Sequence, residues 1–196
     1  MVSITRYCKR TSWPLLCIAL CLGGGQAGFA AEEDGPPFLI RSAEVERGEQ
    51  SYRLRGIIDF GLNDTVLEAL HNGVSLTIET QARLYRQRDW IWDKQVSGLD
   101  RRYRLRYFAL SQLYLLTNLD DESKRSFLSL SAALYNLGHF DAELAPRHEV
   151  LSGQPHYLRM RIFLDIESLP APLRPLAYMS SRWRLKSKWH EWTLDI

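Results

Sequence analysis

Cysteine is almost missing from this chain of 196 residues. There are three, Cys8, Cys17 and Cys21, all near the N-terminus. Beyond them no disulfide and no cysteine-ligated zinc site can form. Histidine is sparse and scattered. His71, His139, His148, His156 and His190 each lack a second His or Cys at ligand spacing, and no HExxH occurs. GxSxG and SxxK are absent, and there is no thiol outside the N-terminal segment to act as a nucleophile. The one glycine run, Gly23-Gly24-Gly25, follows an apolar stretch and is not a phosphate loop. The acidic pair Asp120-Asp121 reads as a helix start, not as two carboxylates facing across a cleft. The common enzyme signatures are therefore missing, and no cofactor or metal is expected.

What is present begins with the N-terminus. Arg6, Lys9 and Arg10 precede an apolar run over 13–22, the glycines break it, and Gly28-Phe29-Ala30 offers small residues at a cleavage point. That order is a secretory signal, here residues 1–30. The run is about half the roughly 20 residues a bilayer span needs. The competing reading is an uncleaved N-terminal anchor. Leu20 before Cys21 argues against a lipoprotein. Cleavage after Ala30 leaves 166 residues, cysteine-free, with 22 basic and 23 acidic side chains. The whole chain's charge of +2 thus becomes −1. A chain of this length buries enough surface for one domain without staples. No later apolar run reaches spanning length, so no stable membrane span is expected after cleavage. Residues 31–37 read as an acidic, Gly/Pro-containing linker, and 38–196 as the folded domain.

Within that domain the apolar period is mostly two. Stretches 39–46 and 50–60 flank Arg47-Gly48-Glu49 as a hairpin, with Tyr52, Leu54 and Ile58 facing opposite to Arg53 and Arg55. Asn63 to His71 predicts a short helix, with Thr65 and Glu68 as a capping box and Asn72-Gly73 as its stop. Asn63-Asp64-Thr65 is also a glycosylation sequon, but a cap accounts for the same residues. Alternation returns over 74–87, and Trp90 and Trp92 share a face if extended. Ser97-Gly98 reads as a turn. Arg102, Arg104 and Arg106 alternate with Tyr103, Leu105 and Tyr107 in a strand, and another follows over 111–117. Asp120-Asp121-Glu122 is expected to open a second helix that carries Phe127, Leu130, Leu134 and Leu137 to a stop at Gly138. A strand over 157–167 follows, then a stretch over 169–175 that its three prolines keep irregular. Some seven short strands with two short helical insertions predict a mainly β fold, a single-domain antiparallel β-sandwich.

One pattern stands out. Arg182, Arg184, Lys186 and Lys188 alternate with Trp183, Leu185, Ser187 and Trp189, and no acid intervenes before Glu191. In an extended chain the cations share one face and the tryptophans the other. Arg102/104/106, Arg159/161 and Arg53/55 repeat the arrangement, so neighbouring strands would present a cationic sheet face. The competing reading is ordinary solvent-side charge, with Glu44, Glu46, Glu79, Asp165 and Glu167 as cross-strand partners. Tryptophans in a sandwich also serve as core or edge cover. The candidate binding surface is Arg182, Arg184, Lys186, Lys188, Trp189 and Trp192. Export and the near-neutral domain argue against nucleic acid.

The C-terminal third carries a resemblance. Leu164-Asp165, the stretch from Leu169 through Pro170, Pro172 and Arg174 to Pro175, and the run from Trp183 to Trp192 resemble the ending of a bacterial exported family catalogued as domain of unknown function 4390. Glu68-Ala69-Leu70, Gly73-Val74 and the Arg-rich strand around Tyr103 and Tyr107 are similar too. The resemblance implies a bacterial, periplasmic protein and a gene beside a sensor-kinase operon. It brings no activity and no catalytic residues. The expected role is a non-enzymatic periplasmic binding or interaction module in the bacterial envelope, engaging an envelope protein or an anionic envelope component. The alternatives are an envelope hydrolase with an unrecognised site, signalled by a pocket gathering His139, Asp141 or His148, and a sensory accessory to a membrane kinase.

Overall fold

A computed structural model of the chain describes residues 37–88, 92–150 and 153–194. The expected N-terminal signal with its cleavage point, most of the expected linker, and Trp90 lie outside them. The fold is mainly β, as the alternation predicts. A three-stranded antiparallel sheet has the order β1 (Phe38–Arg47), β2 (Ser51–Phe60), β7 (His139–Pro146). A six-stranded antiparallel sheet has the order β6 (Lys124–Phe127), β5 (Leu113–Asn118), β4 (Lys94–Phe108), β3 (Leu76–Arg86), β8 (His156–Leu164), β9 (His190–Leu194). Their inner faces form one apolar core, with Phe38, Leu54 and Ile58 from the small sheet and Ile78, Leu84, Leu158 and Ile162 from the large one. Ser97 Oγ of β4 donates to the Leu144 carbonyl of β7 at 2.5 Å, a polar tie between the sheets.

The period-2 faces hold. In β2, Tyr52, Leu54 and Ile58 are buried while Arg53 and Arg55 are exposed. In β8, Leu158, Met160, Ile162 and Leu164 point inward, leaving Tyr157, Arg159, Arg161 and Phe163 outside. Alternation survives because each sheet buries one face only.

Helix α1 (Asp64–His71) is where the sequence places it, but its cap is Asn63. Asn63 Oδ1 accepts the Val66 N–H at 3.1 Å, so Thr65 lies inside the helix. The stop is a Schellman pair: Gly73, at φ 86°, donates to Leu70 and Val74 donates to Ala69. Three expectations fail. Ser97-Gly98 is not a turn, because β4 runs through it for 15 residues. Gly98 faces Arg83 in register, and its missing side chain makes room for that arginine. Asp120-Asp121-Glu122 does not open a helix. It is the β5–β6 turn, with Glu122 at φ 60° and the Asp121 carboxylate accepting the Ser123 N–H. Helix α2 (Leu130–Gly138) starts later, capped by Ser129. A third helix, α3 (Arg174–Met179), was not expected among the prolines, yet Pro175 sits in its first turn, where a missing N–H costs nothing.

Candidate functional site

The chain reaches the candidate surface through α3 and a 3-10 turn, Ser181–Trp183. Trp183 and Leu185 are each 3% exposed and plug this segment into the core. Asn63 Nδ2 donates to the Arg182 carbonyl at 2.6 Å, so the residue that caps α1 also fixes the segment's start. With both ends of its amide engaged, Asn63 is built as a cap. The chain then runs antiparallel to β8. Leu164 N–H donates to Leu185 and Ser187 N–H to Ile162, both at 2.8 Å, and Lys186 pairs with Phe163.

A slip in register follows. Lys186 faces Phe163 and His190 faces Met160, so four steps on this segment match three on β8. The extra residue is a β-bulge. The Ser187 hydroxyl repairs the ladder: its Oγ accepts the Ile162 N–H at 3.0 Å and donates to the Lys188 carbonyl at 2.8 Å. The bulge also corrects the expected facing of the tryptophans. Arg182, Arg184, Lys186 and Lys188 are all exposed, and Trp183 is buried, as alternation requires. Trp189 is not opposite them. It is 42% exposed on the cation side, its ring 4.6 Å from the Arg161 guanidinium and 5.4 Å from that of Arg159. Past the bulge, Trp192 pairs with Leu158 and turns toward the core, its ring 5.7 Å from His190.

The result is an open groove of about 820 Å³. Phe163, Tyr178 and Trp189 give it aromatic walls. Arg161, Arg184, Lys186 and Lys188 give it four cations, and among the described residues its lining holds no carboxylate. Arg161 is held in place: its Nε donates to Gln81 Oε1 at 2.8 Å, and its guanidinium lies 5.0 Å from the Phe163 ring. Arg184 donates to the Tyr178 carbonyl at 3.0 Å, which ties α3 to the groove wall. Of the six candidate residues, Arg184, Lys186, Lys188 and Trp189 meet here. Arg182 lies in an adjoining cavity with Asp59, and Trp192 lies behind the sheet. Arg161, Phe163 and Tyr178 were not singled out as site residues. The sequence pairs Arg159 with Arg161 on one face, but only the pairing of β8 with 185–187 shows that Arg161 and Phe163 border the basic run.

The wider cationic face is realised on one sheet. β4, β3 and β8 are neighbours, so Arg102, Arg104, Arg106, Arg159 and Arg161 share the outer face of the large sheet. Arg53 and Arg55 do not join it. They lie on the small sheet and bridge to Asp141 at 2.8 and 3.2 Å, with Arg55 also 2.6 Å from Glu46.

His139 and Asp141 do share a second, smaller cavity of about 360 Å³, whereas His148 lies elsewhere, beside Glu149. Hydrogen bonding from Arg53, then Arg55, holds the Asp141 carboxyl below the usual carboxylate range. His139 Nδ1 lies 2.9 Å from the Tyr135 carbonyl, which can only accept, so Nδ1 carries the proton. Asp141 is thus a fixed acceptor for two guanidinium groups and not a group poised to exchange protons. Among the described residues no three His, Cys, Asp or Glu side chains are grouped to hold a metal ion.

No curated protein and no solved structure matches the chain. One family model does, described as a domain of unknown function, DUF4390, and it covers residues 36–193. With nearly the whole described domain inside that match, the chain belongs to the DUF4390 family.

Proposed function

We propose that this domain is a non-enzymatic binding module of the bacterial periplasm, whose groove takes an anionic ligand with an apolar part. The observation that carries this is the lining itself: among the described residues, four cations without a carboxylate, set against three aromatic rings. A cleft lined by one sign of charge concentrates ligands of the other sign. Aromatic walls reward burial of an apolar group beside that charge. An acidic segment of an envelope protein and an anionic envelope component both meet this description. The accessory role beside a membrane kinase is the same groove with a sensor as its partner. The hydrolase reading would use the His139–Asp141 cavity, and the double arginine grip on Asp141 weighs against it.

The test places a photo-crosslinking amino acid at Tyr178 of the full chain in cells, followed by identification of the captured species. Lys186→Glu with Lys188→Glu should abolish capture with thermal stability nearly unchanged, because both side chains are exposed. These two are better probes than Arg184, whose guanidinium also holds α3. Capture that persists in the double variant would sink the groove as the binding site.

A further inference from the structure

At the other side of the large sheet, β4 and β5 meet in an exposed turn closed by Gln112 at φ 53°. Leu110 at its tip is fully exposed, Leu128 is 87% exposed and Phe108 is 41% exposed. The ladder puts them together. Phe108 pairs with Leu113, and Tyr114 pairs with Phe127, so Leu128 stands one step on, beside Leu113. Phe108, Leu113 and Leu128 therefore form an apolar row across three strands, with Leu110 projecting beyond it. Two residues back, the next row is Arg106, Leu115 and Ser126. The row behind that is Arg104, Thr117 and Lys124. All three rows lie on the outer face, which thus grades from apolar at its end, through mixed, to cationic.

We infer that this end of the sheet docks on an anionic lipid bilayer surface. Three points favour lipid over a protein groove. The apolar residues protrude on a turn, and a bilayer accepts a projecting tip without needing a matching pocket. The spacing fits. Two strand residues cover about 7 Å, and the headgroup layer of one leaflet is about 5–8 Å thick. With Phe108 and Leu110 at the acyl boundary, Arg106 reaches the phosphates and Arg104 and Lys124 lie just above them. The charge also fits. Among the described residues, Arg102, Arg104 and Arg106 have no carboxylate within salt-bridge distance. The nearest outer-face acid in register, Glu79, sits beside Arg102, away from the tip. Arg106 is aimed along the stripe, its guanidinium 5.8 Å from the Phe108 ring and its Nε bonded to Ser75. Docking here is peripheral. It uses a sheet end, not a span, and it does not rest on the groove having a ligand.

The test is hydrogen exchange of the full chain with vesicles of phosphatidylcholine alone or with about a third phosphatidylglycerol. Peptide-level exchange localises contact whatever the N-terminal segment does. Exchange over 106–114 and 126–129 should slow on the anionic vesicles, less so on zwitterionic ones, and recover in high salt. Leu110→Asp with Leu128→Asp should remove that protection and leave the unbound exchange pattern unchanged. Arg104→Glu with Arg106→Glu should weaken it tenfold or more on anionic vesicles. Lys186→Glu with Lys188→Glu should leave it intact, which separates this surface from the groove. Absence of protection at the tip, or protection that survives Leu110→Asp with Leu128→Asp, overturns the inference. So does protection that rises with protein concentration without vesicles, which would mark the tip as a contact between two copies of the chain.

Discussion

Tyr157 shows how a single side chain on the outer face acquires a fixed environment. Its ring stacks on Tyr85 at 5.2 Å, and its hydroxyl donates to Asp93 at 2.7 Å. Burial first, then the Asp93 carboxylate, pushes its pKa up to about 12. The folded state favours the neutral phenol. The associated stability is therefore complete below an unfolded value of about 10 and is lost as pH rises through the folded value. Titration of phenolate absorbance should show Tyr157 ionising near pH 12, and Tyr157→Phe should remove one late equivalent while leaving those of Tyr103 and Tyr114, which burial also shifts upward. A late step that keeps its full amplitude after the substitution refutes the assignment. Legibility at this scale is uneven. That Trp183 would be buried could be read from its phase. That Trp189 would not be could not, because one inserted residue reverses every side chain after it. Asn63 and Thr65 were both plausible caps by type, and only backbone geometry chose between them.

Elements were legible where one face is buried and the other wet. β2, β3 and β8 follow their alternation closely, and so does the cationic outer half of β4. The misreadings involve residues with two uses. Gly98 marks a close approach inside a strand, and acids that suit a helix start also suit a turn. Strand β7 was missed because His139-Phe140-Asp141 looks like a polar loop, and only its pairing with β2 makes it a strand. That junction is tight. Gly138 ends α2 against β2, where a Cβ would overlap the Ile58 carbonyl oxygen, which as backbone cannot swing away. Gly138→Ala gains about 1 kcal/mol of helix propensity. It loses about 3 kcal/mol to overpacking, the upper end of the usual range, because the contact is with backbone well inside van der Waals distance. The net, a destabilisation of about 2 kcal/mol, should lower Tm by about 4–8 °C in calorimetry. An unchanged or higher Tm would mean that α2 can move away from the small sheet.

At the scale of the whole molecule, the two sheets differ in how they treat charge. The small sheet neutralises its outer arginines with Asp141, Glu46 and Asp59, whereas on the large sheet, among the described residues, Arg83 and Arg159 have such partners and Arg102, Arg104, Arg106 and Arg161 do not. Composition could not show this, since the predicted mature chain is nearly neutral in total. The asymmetry exists only once strand order is known. The address of the molecule remains a sequence expectation with a direct measurement. Intact mass of the chain recovered from the envelope of a bacterial host should correspond to the 166 residues after Ala30, and a full-length mass would establish the anchored form instead. The bulge at 187–189 has a consequence for how the family can vary. What it holds constant is a count, and a chemically quiet one-codon deletion between Lys186 and His190 would rotate the indole of Trp189 off its two arginines and into the core. Insertions and deletions in this short stretch should therefore be far less tolerated than substitutions at its exposed lysines.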